Sequence, residues 1–112
     1  MVKPSSRTYS RYSHEAAQLL GLMIRNARIE RGLTIEELAE RADVSRGLVY
    51  RAEQGDMGCG IGSVFELATI VGVPLFTADP STIALHIANA EKTLSLLPRA
   101  VHPANKVVKD DF

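Results

Sequence analysis

Residues 33–55 read LTIEELAERADVSRGLVYRAEQG. Thr34 precedes an apolar-periodic run, and Glu37 stands where the third helical residue would fall. This is the pattern of a capping box, in which the hydroxyl accepts from a helical N–H and the glutamate reaches back to the cap amide. The spacing predicts a helix over 35–42. Asp43 follows where the chain must turn, and aspartate is among the few non-glycine residues that tolerate a left-handed backbone. Ser45 offers a second N-cap, a helix is expected over 46–54, and Gly55 is placed to stop it. Two short helices around a tight turn result.

Upstream, Ala16, Leu20, Met23, Ile24 and Ala27 recur at three- and four-residue intervals, predicting an amphipathic helix over 14–31 that Gly32 ends. Downstream, residues 57–62 hold three glycines and read as a loop, and a fourth helix is expected over 63–71. Pro74 biases Val73 away from helix, so residues 73–76 are expected to cross as an extended apolar segment. A fifth helix is expected over 79–97, with Asp79 as cap and Pro80 at its first position, until Pro98 stops it. The expected organisation is a basic arm (1–13), a helical domain (14–78), an additional helix (79–97) and a flexible tail (98–112).

At 112 residues the chain is about one domain long. Its 46% hydrophobic but only 5% aromatic composition favours packed helices over a β-sandwich, so an all-α fold is expected. Cys59 is the only cysteine, which excludes an intramolecular disulfide and fits a reducing cytoplasm. The Arg/Ser-rich residues 1–13 contain no apolar signal core, and no apolar run is long enough to span a bilayer. A mitochondrial transit peptide has similar content; a basic arm running into a helix is the simpler reading. The formal net charge of zero argues by itself against a nucleic-acid binder. Its distribution does not: over residues 1–31, Lys3, Arg7, Arg11, Arg25, Arg28 and Arg31 face only Glu15 and Glu30.

With Leu38-Ala39, Val44-Ser45-Arg46, Val49, Ala52 and Glu53-Gln54-Gly55 in their places, the stretch resembles the helix-turn-helix of Cro/C1-type (XRE) repressors over residues 15–76. The resemblance implies a five-helix, lambda repressor-like domain that binds double-stranded operator DNA. Val44, Val49 and Ala52 can pack inward, leaving Ser45, Arg46, Gly47, Leu48, Tyr50 and Arg51 on the opposite face of the third helix. A major groove admits an α-helix, and arginine can donate two hydrogen bonds to O6 and N7 of guanine. Arg46 and Arg51 are thus the candidate base readers, with ordinary solvated side chains as the alternative. Gly47 permits close approach, Leu48 can meet a thymine methyl, and Ser45, Thr34 and Tyr50 can bond phosphates. Ser45 is a helix cap in any case, and Tyr50 reads equally as packing.

By the same resemblance Arg28 matches a first-helix arginine that pairs with Glu53, and it is assigned to structure. Two departures stand out: Ile35 replaces a phosphate-contacting glutamine found in many members, and residues 56–60 lack the usual basic side chains. The phosphate grip is then expected from the basic arm and from backbone amides opening the fourth helix.

In the fifth helix Ile83, Ile87, Ala90, Leu94 and Leu97 form a stripe that buries one seam, against its own domain or across a dimer. Helix-turn-helix proteins generally read two half-sites with a two-fold partner, so a homodimer is expected, with this helix or residues 73–76 near its interface. Outside the motif, SRGLVYRAEQGDMGCGIGSVFELATIVGVPLF (45–76), the LLP at 96–98 and the closing KVVKDDF resemble HipB-type antitoxins. That resemblance implies an autoregulatory cytoplasmic repressor, at the nucleoid when bound, that neutralises a HipA-like kinase toxin. Phe112 can serve such a partner as an anchor or simply end a loose tail. A stand-alone repressor, or an interaction module with little DNA binding, is the alternative. An enzyme is not expected: His14, His86 and His102 are scattered, Cys59 has no placed base, and neither a phosphate-cradling glycine motif nor a metal-ligand spacing occurs. No cofactor is implied.

Overall fold

The computed structural model describes residues 8–101 and 103. The chain divides into two compact units, residues 1–78 and 79–112. The first contains four α-helices: α1 (Arg11–Glu30), α2 (Ile35–Ala42), α3 (Arg46–Glu53) and α4 (Ile61–Val71). The second contains a 3₁₀ turn (Pro80–Thr82) and α5 (Ile83–Ser95). The fold is all-α, and the described residues include no strand.

Local caps set the boundaries. Thr34 Oγ1 accepts from the Glu37 amide at 3.0 Å while Glu37 Oε1 accepts from the Thr34 amide at 2.9 Å, so both halves of the capping box form. Ser45 Oγ accepts from the Leu48 amide at 3.0 Å and starts α3. Every helix of the first unit ends alike, its last turn closed by an N–H that reaches back five residues: Leu33 to Arg28 O, Val44 to Ala39 O, Asp56 to Arg51 O, Val73 to Ala68 O. The residue before each is left-handed, and Asp43, at φ 57°, is the non-glycine among them.

Several boundaries differ from the sequence expectation. α1 starts at Arg11 because Ser10 caps it, accepting from the Ser13 amide at 3.2 Å; residues 11–13 belong to the helix and not to an arm. α4 starts at Ile61, capped by extended Gly60 without a side-chain bond, two residues before Ser63. The fifth helix is broken into a 3₁₀ turn and a shorter α5. Asp79 Oδ1 accepts from the Ser81 amide and Thr82 Oγ1 donates to Asp79 O, tightening the first turn. Residues 73–76 are not uniformly extended: Thr77 N–H bonds Leu75 O across Phe76, which is left-handed at φ 67° and rests edge-on against Phe65. Most of the expected 98–112 tail, with Phe112, lies outside the described residues, as do residues 1–7 of the arm.

Ile24, Leu38, Val49, Leu67 and Val71 are fully buried, so all four helices of the first unit contribute to one core. The inward arc of α1 is Ala17, Leu20, Gly21, Ile24, Ala27 and Arg28, whereas Ala16 and Met23, expected there, are exposed. The arc is turned by a close helix crossing. A Cβ at Gly21 would lie 2.5 Å from Ala52 O, and one at Gly55 would lie 2.9 Å from Gln18 Cα. No residue of α5 is buried; its expected seam, Ile83, Ile87, Ala90, Leu94 and Leu97, is partly or wholly exposed.

Candidate nucleic-acid interface

The position of α3 is set by its buried face. Val49, Ala52 and Glu53 are buried, and Glu53 meets Arg28 in a two-pronged ion pair: Arg28 Nε donates to Oε2 at 2.7 Å and Nη2 to Oε1 at 3.0 Å. The remaining guanidinium nitrogen, Nη1, donates to Leu33 O at 2.9 Å. One arginine thus joins α1, the end of α3 and the entry to α2. Arg31 does similar work at the other side, where its Nε donates to Val71 O at 2.7 Å and closes the end of α4.

With that face buried, Ser45, Arg46, Gly47, Tyr50 and Arg51 are exposed along α3. Thr34, Ile35, Glu36, Ser45, Arg46, Gly47 and Tyr50 line an open hollow where α2 and α3 begin side by side, with Arg28 also among the lining residues. Five of the seven residues expected to contact DNA therefore meet at one concave surface. Leu48 does not line it; this side chain is half-buried and packs on the core. Arg51 lies one turn further along, exposed, with its Nε 3.8 Å from Asp56 Oδ2. Thr34 and Ser45 both accept amide hydrogens as caps; the Thr34 hydroxyl also bonds the Glu37 carboxyl, whereas the Ser45 hydroxyl hydrogen is left for an outside acceptor.

Two acidic residues near the outward face of α3 were not singled out in the sequence as site residues. Glu36 borders the hollow that Arg46 also lines. Asp56 faces Arg51 and also fixes its own loop, its Oδ1 accepting from the Gly58 amide at 2.6 Å. The missing basic residues at 56–60 were the available signal: an acid occupies the position. Cys59 borders the same group. Burial pushes its thiol up, the Asp56 charge adds to that, and the neighbouring Arg51 opposes it. Among the described residues, no group of three His, Cys, Asp or Glu can hold a metal ion, and no helix is long and apolar enough to cross a membrane.

The geometry of α2, the turn at Asp43 and the outward α3 is that of a module that places one helix in a DNA groove. Residues 24–76 match the family model described as helix-turn-helix, so this part of the chain is similar to that family. No curated protein and no solved structure gives a significant match.

Proposed function

We propose that the protein is a sequence-specific reader of double-stranded DNA that represses transcription, with α3 in the major groove. The observation that carries this reading is the division of α3: Val49, Ala52 and Glu53 are buried in the helix-turn-helix core, while Arg46, Gly47, Tyr50 and Arg51 face outward. Arg46 and Arg51 read guanine edges, Thr34, Ser45 and Tyr50 bond phosphates, and Leu48 contributes its exposed edge to a thymine methyl. Arg28 and Glu53 hold α3 in place and do not meet DNA.

The protein acts as a homodimer in the cytoplasm and at the nucleoid. The apolar residues that α5 leaves exposed, Leu85, Ile87 and Leu94 among them, support a self-association surface. The finer reading, an autoregulatory antitoxin that neutralises a HipA-like kinase toxin, rests on the resemblance of residues 45–76 and the closing KVVKDDF to HipB-type antitoxins.

Fluorescence anisotropy tests the DNA reading. The purified protein is titrated onto its own upstream promoter and onto a scrambled duplex at physiological salt, beside Arg46→Ala/Arg51→Ala. Preference for the promoter, lost in the double variant, is the expected result; equal weak binding to both duplexes removes the stand-alone repressor. Co-elution with a co-expressed HipA-like kinase, and tighter operator binding in that complex, tests the antitoxin role.

A further inference from the structure

Arg51 and Gly47 are neighbours by more than sequence. An arginine in a helix leans back toward the preceding turn, and Arg51 does so far enough that a Cβ at Gly47 would lie 3.3 Å from its Nη1. From the other side its Nε lies 3.8 Å from Asp56 Oδ2. Asp56 is itself fixed: its amide bonds Arg51 O at 3.0 Å in the termination of α3, and its Oδ1 holds the Gly58 amide at 2.6 Å. A long, exposed side chain thus has a charge anchored at its base and a helix surface cleared of a methyl group at its tip.

We propose that Asp56 is a positioning residue for base recognition, steering the Arg51 guanidinium back over Gly47 along the outward face of α3, in the pose from which it reads a guanine. The inference rests on the DNA reading above. It accounts for two departures in one arrangement: glycine inside a recognition helix, where it weakens helix formation, and an acid in the loop where phosphate-binding bases are usual. Holding the guanidinium before DNA arrives lessens the ordering that binding must impose, and the carboxylate lowers attraction to phosphates at large, so discrimination gains while general affinity falls.

The test measures anisotropy on the promoter and scrambled duplexes for wild type, Asp56→Asn, Gly47→Ala, Arg51→Ala and Asp56→Asn/Arg51→Ala. Asparagine keeps the Oδ1 acceptor for Gly58, and a circular-dichroism melt checks that each variant is folded at the assay temperature. Asp56→Asn is expected to lower the promoter-to-scrambled affinity ratio about tenfold, within what one bidentate arginine supplies. Gly47→Ala shifts the ratio in the same direction while raising Tm. In the Arg51→Ala background the Asp56→Asn change has no further effect on the ratio. Asp56→Asn binding both duplexes more tightly by one common factor overturns the proposal, since Asp56 then acts only as a repelling charge. So does a loss of ratio that persists without Arg51. A wild type with no preference for the promoter overturns the DNA reading itself, and the positioning role with it.

Discussion

Arg28 and Glu53 are 8% and 4% exposed, yet every charged prong of the pair is met, with Leu33 O taking the last guanidinium nitrogen. Truncating either partner strands a buried charge, for which the cost is about 3–5 kcal/mol, whereas replacing both with apolar residues of similar volume can be close to neutral. Urea denaturation is therefore expected to find Glu53→Ala severely destabilised and Arg28→Met/Glu53→Leu much nearer wild type. Comparable losses in the two would mean the pair is needed for more than mutual neutralisation. Gly47 presents the opposite case. Its Cβ would meet only the movable end of Arg51 and the Ser45 hydroxyl, so nothing inside the fold requires glycine there. Gly47→Ala should stabilise the protein by roughly 0.5–1 kcal/mol through helix propensity alone. A lower Tm would show that the position carries a folding constraint and not a functional one.

Between elements, what was legible in the sequence was whatever neighbours in the chain decide. Thr34, Glu37, Asp43 and Ser45 form the boundaries of α2 and α3 through bonds spanning three to five residues, and their pattern could be read directly. Gly21 could not be read that way. It sits inside α1 and is required only because the carbonyls of Ala52 and Glu53 press on it from α3. For the same reason periodicity put Ala16 and Met23 on the inward face: it cannot know which side of the helix another backbone will approach. Asp56 escaped because its role depends on where the Arg51 side chain lies. Gly21→Ala should cost about 1–3 kcal/mol, the usual penalty of overpacking a tight site, read as a lower urea midpoint. The caps make a pH-dependent prediction. Bonds from the Thr34 amide and hydroxyl hold the Glu37 carboxyl below its ordinary value of 4.5, so the folded form keeps it ionised longer than the unfolded chain does. Its contribution is complete above the ordinary value and is lost as pH falls through the lowered one. Stability should decline on acidification below about 4.5, less steeply in Glu37→Gln, which retains the cap bond without the titration. Superimposable pH profiles would assign the decline to other carboxylates.

At the scale of the whole chain, the balance of 13 basic and 13 acidic residues sets how DNA binding must depend on salt. Each phosphate neutralised contributes about −0.9 to the slope of log K against log salt. Within the helix-turn-helix four of the six arginines are already engaged, since Arg28 is buried against Glu53, Arg31 is bonded to the end of α4, Arg51 faces Asp56 and Arg46 is assigned to a base; Arg25 and Arg41 are the exposed remainder. The arm supplies Lys3 and Arg7 ahead of α1. If these two grip phosphates, Lys3→Ala/Arg7→Ala should flatten the salt slope by about 2 per protomer and weaken promoter and scrambled duplexes by the same factor, leaving their ratio unchanged. Arg51→Ala should do the reverse, reducing the ratio with little effect on the slope. Anisotropy titrations at several salt concentrations separate the two behaviours. An unaltered slope in the arm variant would move the phosphate grip to the backbone amides that open α4, where Gly60 leaves the helix without a side-chain cap.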